Sequence, residues 1–485
     1  MKAVRSPLLL KLLLLFVFFL PFRSVQIPLN VIGFEINPAR IASVLFTVLL
    51  FLSIGLDLRS LHIFTRRGVE RNPYVFYLVI YFLLSILYYY VLVGLGKTIL
   101  FGGDGAGFLQ DWRGRPFAQL AAFGTYGIIP FYLTQYFGQY ERMRQSIERT
   151  FLWAILILVY FGLVQVVAYG MFKNPLVGRN IFELHRDLGS VHIFGLSLYR
   201  VNSLAGEPRD FGSLLVGAIP FYLYAHSKSS RRFIAMNLVL MVVAFLLTTS
   251  TSALLTAAIS LVVTLFDTLS RKKIRLRVKY IRYAFAGALL GFGLLYTRII
   301  GALTLRTTMI VNAITTQLQS GQVQPLAQAQ TFNLVILYYF LHLFDIPPMY
   351  ILFGSGYSNF ITPLVGLLRQ YFHYTVEAAV LTPDAFSIKL FVEGGVVGMC
   401  IYGAMFFYTL RLNGRLLFIF QKRNDRLGYR KALWLRFAFI AFFISGATQI
   451  SYYYFIMMGL IIGWLNAETV RNTPVPAPAA VPAAL

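Results

Sequence analysis

Residues 151–171 read FLWAILILVYFGLVQVVAYGM, an apolar stretch without a single charged side chain. At about 1.5 Å of rise per residue, an α-helix of this length extends about 31 Å and matches the hydrocarbon core of a bilayer. The stretch therefore predicts a membrane-spanning helix.

The composition of the whole chain agrees with that prediction. Of its 485 residues, 58% are hydrophobic, 16% are aromatic and only 13% are charged, whereas a soluble protein carries about 25% charged residues. This excludes soluble enzymes, secreted disulfide scaffolds and disordered chains. The single cysteine, Cys400, excludes an intrachain disulfide and a cysteine metal cluster.

Eleven more apolar stretches raise the predicted number of spans to twelve. The first of the twelve resembles a signal peptide but is followed by Pro21-Phe22-Arg23 rather than by a small-residue cleavage site, so it is kept as a span. A tight hairpin is expected at Thr248-Thr249-Ser250 between the seventh and eighth. The twelve lie at about residues 7–23, 40–56, 74–95, 117–137, 151–171, 210–226, 233–249, 251–267, 281–300, 385–410, 433–448 and 451–467.

The distribution of basic residues predicts the orientation. The net charge of +25 would suggest a nucleic-acid partner in a soluble chain, but in a membrane protein the positive-inside rule explains it, and no nucleic acid is predicted. With both termini in the cytoplasm, 29 of the 43 Lys and Arg residues fall on the cytoplasmic side. The predicted fold is an all-α integral membrane protein with cytoplasmic termini.

Two predicted outer loops are long enough to carry function. They comprise residues 172–209 and 301–384, and the second, between the ninth and tenth spans, contains amphipathic helical stretches at 310–318 and 332–343. Residues 1–470 are predicted to form one membrane domain, and the Pro- and Ala-rich residues 471–485 a disordered cytoplasmic tail. The cytoplasmic loops contain no nucleotide-binding motif.

The placement of polar residues favours an outward-facing membrane enzyme over a transporter. Transporters commonly show inverted repeats and ionisable residues near the midplane; the sequence shows no internal repeat, and Lys389 and Glu393 are the clearest charges within a span. Most distinctive polar residues instead lie at the outer ends of spans, which suits chemistry on a lipid-anchored substrate.

Residues 200–212, RVNSLAGEPRDFG, form the richest of these polar clusters. Arg200 and Arg209 could clamp a pyrophosphate, because a guanidinium group matches phosphate oxygens bidentately. Glu207 could serve as a base or orient an arginine. The alternative is local ion pairing of the two arginines with Glu207 and Asp210.

Two further segments of the large outer loop contain candidates. Arg306 is an isolated cation in an acid-poor segment, where an anionic ligand or a lipid headgroup would be its partner. Gly354 and Gly356 allow a tight turn, and a structural turn is favoured over phosphate binding.

The start of the tenth span contributes a third set of candidates. Asp384 is predicted in the first helical turn at the outer surface, as a catalytic carboxylate or as a residue that only stabilises the helix dipole. Lys389 and Glu393 are four residues apart on one helical face, where they can neutralise each other, so Glu393 is predicted to be structural.

The order and spacing of these motifs resemble the O-antigen polymerase and O-antigen ligase superfamily of bacterial inner-membrane proteins. The resemblance covers about residues 200–410. Its motifs are Arg200, Pro208-Arg209, Gly212, Arg306, Gly354-Ser355-Gly356, Asp384, and Glu393, Gly395 and Gly398.

The resemblance implies a helical glycosyltransferase fold of the GT-C type that joins sugars carried on undecaprenyl pyrophosphate at the periplasmic face. It implies no metal and no cofactor, with Arg200 and Arg306 holding the pyrophosphate and Arg209 a third candidate. The ligase branch has a histidine at the position of Asp384, which favours a polymerase. His373 could substitute, so the ligase stays open.

Together these features predict a metal-independent, inverting polysaccharide polymerase that transfers the growing glycan onto an incoming lipid-linked repeat unit. Asp384 is the first choice of general base and Glu207 the second. The alternatives are a ligase acting on lipid A-core or protein, a lipid-linked oligosaccharide flippase or transporter, and a structural scaffold. The expected partners are the lipid-linked oligosaccharides and membrane lipids, with a chain-length regulator and a flippase as further candidates.

Overall fold

The computed structural model describes about three-fifths of the chain. The predicted ninth span, both predicted amphipathic stretches of the outer loop, and the candidates Arg306, His373 and Asp384 lie outside the described residues. The described residues are 7–22, 27–29, 34–36, most of 41–52, 70–97, 113–172, 190–193, 196–226, 231–270, 348–357, 386–448 and 451–472.

Twelve α-helices dominate the described architecture. They are α1 (Pro7–Phe19), α2 (Pro73–Gly94), α3 (Arg115–Phe123), α4 (Ile129–Gly138), α5 (Glu141–Phe172), α6 (Pro208–Ala225), α7 (Arg231–Thr248), α8 (Thr251–Ser270), α9 (Pro348–Phe353), α10 (Phe386–Lys422), α11 (Arg426–Thr448) and α12 (Tyr453–Asn472). A π-helical turn at Gly124–Ile128 joins α3 to α4. Two short antiparallel hairpins pair β1 (Ile27–Leu29) with β2 (Phe34–Ile36), and β3 (Ser190–Ile193) with β4 (Leu196–Tyr199).

Four of these helices are long and apolar enough to cross a membrane. They are Pro73–Gly94, Glu141–Phe172, Phe386–Lys422 and Tyr453–Arg471. Helices α1, α7 and α8 are apolar but shorter. The predicted helical class is therefore confirmed, together with several spans, and the tight hairpin between α7 and α8 lies where it was expected.

Several predicted boundaries were wrong at one end of the molecule. Helix α10 continues to Lys422, past the predicted end at 410, and α11 begins at Arg426 rather than at 433. The extension of α10 buries Asn413, Leu416 and Phe420 against its neighbours. Its helicity there depends on one buried face, which a search for continuous apolar runs does not detect. Helix α12 likewise includes the first two residues of the predicted tail.

Small residues allow the helices to pack closely. A Cβ atom on Gly217 of α6 would lie 2.4 Å from the ring of Phe442 in α11. A Cβ atom on Gly463 of α12 would lie 2.6 Å from the carbonyl oxygen of Gln135 in α4. Such contacts are typical of helices that associate inside a membrane, where close backbone approach replaces the hydrophobic effect as the driving force.

The charged helix ends define one common end of the bundle. Arg471 contacts Glu141 at 3.5 Å, Arg423 contacts Glu468 at 2.5 Å, and Glu70 accepts a hydrogen bond from Arg415 at 2.5 Å. These residues belong to segments that the basic-residue distribution predicts to be cytoplasmic, so the structure brings those segments together at one end.

Candidate polar site before helix α6

The turn that precedes α6 is held in place by buried hydrogen bonds. The backbone N–H of Val201 donates to the carbonyl oxygen of Leu247 at 3.2 Å. The Ser203 N–H donates to the Gln165 side chain at 3.0 Å, and its hydroxyl donates to the Leu158 carbonyl at 2.7 Å. Because α5 and α7 both anchor the turn, its side chains have fixed positions.

Left-handed backbone conformations concentrate around this turn. Ser203 has φ of 52° and Thr249, in the neighbouring α7–α8 junction, has φ of 48°. Among the described residues, the other non-glycine residue with positive φ is Asn424, a type that adopts this conformation readily. Serine and threonine are costly there, and such strain clusters at functional sites.

The charged side chains of the turn lie where α6 begins. Arg209 Nε is 2.7 Å from Glu207 Oε2, so the local ion pairing considered from the sequence is confirmed for this arginine. Arg200 is half-buried, and burial lowers the pKa of its guanidinium group while the Glu207 carboxylate partly offsets that effect. The three side chains therefore form one electrostatic cluster.

Buried polar atoms without a hydrogen-bond partner gather around the same cluster. Apart from Arg209 Nε, which is paired with Glu207, five such atoms in the described part of the chain belong to the turn or to elements that contact it. They are Arg200 Nε, Asn202 Oδ1, Gln165 Nε2, Ser213 Oγ and Thr249 Oγ1. A buried polar atom left unpaired is destabilising. A polar ligand or ordered water in this region would satisfy them.

Gln165, Ser213 and Thr249 were not among the residues predicted from the sequence. Gln165 offered the clearest signal, because it is the one strongly polar side chain in the charge-free stretch 151–171. Ser213 and Thr249 carry no such signal, since isolated hydroxyl groups are common in membrane helices. Only the packing of α6 against the α7–α8 junction, close enough that a Cβ on Gly212 would lie 2.5 Å from Ala253, brings them to the turn.

The Gly-Ser-Gly segment forms a structural turn, the interpretation that the sequence favoured. Helix α10 is broken at Gly395, which has φ of 59°. The break leaves the carbonyl of Val392 to accept a hydrogen bond from the Ser355 N–H at 2.9 Å, and that of Glu393 to accept one from the Gly356 N–H at 3.1 Å. The segment is thus docked onto α10.

A charged cluster lies beside the same break. Lys389 Nζ is 3.9 Å from Glu393 Oε1, which confirms the predicted pairing, and it also donates to Gln119 Oε1 at 2.6 Å. Arg115 interacts electrostatically with Glu393. Gln119 and Arg115 were missed from the sequence, because α3 is distant from α10 along the chain.

The predicted site residues therefore fall into two groups in the described structure. Arg200, Glu207 and Arg209 lie together before α6, while Lys389 and Glu393 lie together at the break in α10. A cavity of about 500 Å³ lies elsewhere, at the end of the bundle that contains Glu148. Glu148 is separated from Gln165, which contacts the turn, by about 25 Å along α5.

The family resemblance rests on the order and spacing of the motifs and on the large outer loop between the ninth and tenth predicted spans. No protein-family model and no curated protein matches this sequence.

Proposed function

We propose that the protein polymerises lipid-linked oligosaccharides at the outer face of a bacterial inner membrane, within a bundle of about twelve spanning helices. The growing glycan leaves undecaprenyl pyrophosphate and is transferred to a hydroxyl on the terminal sugar of an incoming lipid-linked repeat unit. The new glycosidic bond forms as the bond to the pyrophosphate breaks, with inversion at the anomeric carbon. The hydroxyl proton passes to a carboxylate.

The observation that carries this proposal is the half-buried Arg200 beside Glu207 and Arg209, among unpaired polar atoms. Two guanidinium groups on a fixed turn suit a pyrophosphate leaving group, because they stabilise its developing charge without moving. The N-terminus of α6 adds the positive end of a helix dipole. This arrangement requires no metal in the proposed reaction.

The ion pair with Arg209 supports a role for Glu207 in orienting that arginine. Asp384 then remains the proposed base. Arg306 remains the second proposed pyrophosphate ligand, with Arg209 as the third.

A second candidate function is supported by a different observation. Helix α10 is broken next to the buried pair Lys389–Glu393, with Arg115 close by. Broken helices beside buried charges are typical of transporters, so a flippase for the same lipid-linked substrate is the alternative. The ligase alternative depends on His373, and the described residues add no observation in its favour.

One reconstitution tests these proposals. Purified protein in vesicles receives the host's lipid-linked repeat unit with EDTA and no other acceptor. We expect a ladder of longer lipid-linked chains, and we expect Arg200→Ala to lower the rate by about 10²–10³-fold, the usual effect of removing one group that stabilises developing charge. Arg232→Ala, an exposed arginine in the first turn of α7, is the matched control and should retain the ladder.

The contrary outcomes identify the alternatives. Product that forms only when lipid A-core or a protein acceptor is added means a ligase. Movement of the lipid-linked unit across the vesicle membrane without any new glycosidic bond means a flippase. A full ladder from Arg200→Ala removes the role assigned to this arginine.

A further inference from the structure

A cavity at the Glu148 end of the bundle has no part in the proposed polymerisation. It has a volume of about 500 Å³ and lies between α5, α6, α10, α11 and α12. Ligand sites commonly have volumes of about 300–1,000 Å³. The segments that form it are those that the basic-residue distribution places in the cytoplasm.

The charges around the cavity balance. Four carboxylates line it: Glu141, Glu148, Asp425 and Glu468. Four cations line it as well: Arg144, Arg149, Lys431 and Arg471. With histidine counted as neutral, the lining carries no net charge, although the chain as a whole carries +25. A neutral lining with fixed charges of both signs disfavours a polyanion and suits a ligand that carries one charge of each sign.

The most deeply buried charged side chains of the cavity form ion pairs with each other. Glu148 is buried, accepts a hydrogen bond from the Tyr224 hydroxyl and lies 3.5 Å from Arg144. Glu468 is also buried and is contacted by Arg471 at 3.1 Å. These pairs give the inner wall a fixed geometry.

The rim presents both kinds of charge. Arg149 and Glu141 are exposed on α5, and Glu141 also contacts Arg471 at 3.5 Å. Lys431 of α11 lies 5.9 Å from the ring centre of Tyr224. Cations here can donate to phosphate oxygens, and a carboxylate can accept hydrogen bonds from a primary ammonium group. The buried apolar side chains of Leu152 and Trp464 adjoin these charges.

From this we infer that the cavity binds the headgroup of a zwitterionic phospholipid with a primary ammonium, phosphatidylethanolamine, from the leaflet at that end. Its phosphate would contact Arg149 and Lys431, its ammonium would compete with Arg471 for the exposed Glu141 carboxylate, and its acyl chains would remain in the bilayer. The basic loops outside the cavity would attract anionic lipids without selecting a headgroup.

Binding of defined lipids to the purified full-length protein in detergent tests this inference. Native mass spectrometry would compare phosphatidylethanolamine with phosphatidylglycerol, which lacks an ammonium, and with phosphatidylcholine, whose methylated ammonium cannot donate a hydrogen bond. We expect phosphatidylethanolamine to bind about tenfold more tightly than either, as the loss of one charge-assisted hydrogen bond would produce. Equal affinities would overturn the inference.

Variants locate the site. Arg149→Gln, at an exposed position, should lower the affinity for phosphatidylethanolamine about tenfold, because Arg149 would contact the lipid phosphate. Arg142→Gln, also exposed on α5 but outside the cavity, should leave it unchanged. An unchanged affinity in Arg149→Gln, or the same loss in both variants, would contradict the assignment. If soluble O-phosphoethanolamine displaces the lipid, the cavity recognises the same headgroup groups, and its natural ligand is then a soluble molecule that carries them.

Discussion

At the scale of single residues, buried charges and strained positions carry most of the information. Lys389, Glu393 and Arg115 meet inside the bundle, where an unpaired charge would be strongly destabilising. The sequence predicted the Lys389–Glu393 pair from its four-residue spacing. It could not predict Arg115, because that contact depends on how two helices distant in the chain pack together.

Gly354 illustrates a residue whose identity is dictated by the backbone around it. It has φ of 76°, and a Cβ atom there would lie 2.2 Å from the carbonyl group of Glu393. We expect Gly354→Ala to destabilise the protein by at least about 1–3 kcal/mol from the backbone conformation alone. Thermal unfolding of the purified variant, followed by fluorescence-detected size exclusion, measures this.

Gly403→Ala is the matched control for that prediction. Gly403 lies within α10, and nothing stands within 4 Å of a Cβ atom at this position. Alanine also favours a helix over glycine, so the control should unfold at the wild-type temperature or slightly above it. Equal unfolding temperatures for the two variants would show that the turn at Gly354 is not tightly docked.

At the scale of elements, the continuous apolar pattern predicted helices well and their interruptions poorly. The stretch 385–410 predicted one span, and the break at Gly395 lies inside it. A glycine pair is tolerated within a membrane helix, so the sequence does not show whether the helix breaks there. The answer depends on Ser355 and Gly356, which supply the hydrogen bonds that the broken helix lacks.

Tyr81 of α2 connects the two sides of this break. Its hydroxyl donates to the carbonyl of Phe353 at 3.0 Å and also to that of Gly394. Tyr81→Phe should loosen the docked segment and speed amide hydrogen exchange at Ser355 and Gly356 about five- to tenfold, the effect of losing about 1 kcal/mol of hydrogen bonding.

Tyr77→Phe supplies the comparison for Tyr81→Phe. Tyr77 lies one turn earlier on α2 and is 50% exposed, so loss of its hydroxyl should leave exchange in the 354–357 segment unchanged. Exchange measured by mass spectrometry on both variants decides the matter. If the amides of residues 354–357 exchange as slowly in Tyr81→Phe as in the wild type, the backbone hydrogen bonds of Ser355 and Gly356 dock this segment without help from Tyr81.

At the scale of the whole molecule, the chemistry proposed depends on which end of the bundle faces outward. Glu70 contacts Asn466 and Arg415 at the end that also contains Glu141. Helix α2 then extends about 33 Å from Pro73, which places the exposed Lys97 at the opposite end. The Arg200 turn lies at that opposite end too, since it contacts α5 at Gln165 rather than near Glu141.

Cysteine accessibility measures this orientation directly. In a Cys400→Ala background, Lys97→Cys should react with a membrane-impermeant maleimide in intact spheroplasts, whereas Arg142→Cys should react only after permeabilisation. The reverse pattern would place the Arg200 cluster in the cytoplasm. Nucleotide sugars are available in the cytoplasm as donors, so a lipid pyrophosphate leaving group would no longer be needed there. The main chemical reason for two arginines beside α6 would then be lost.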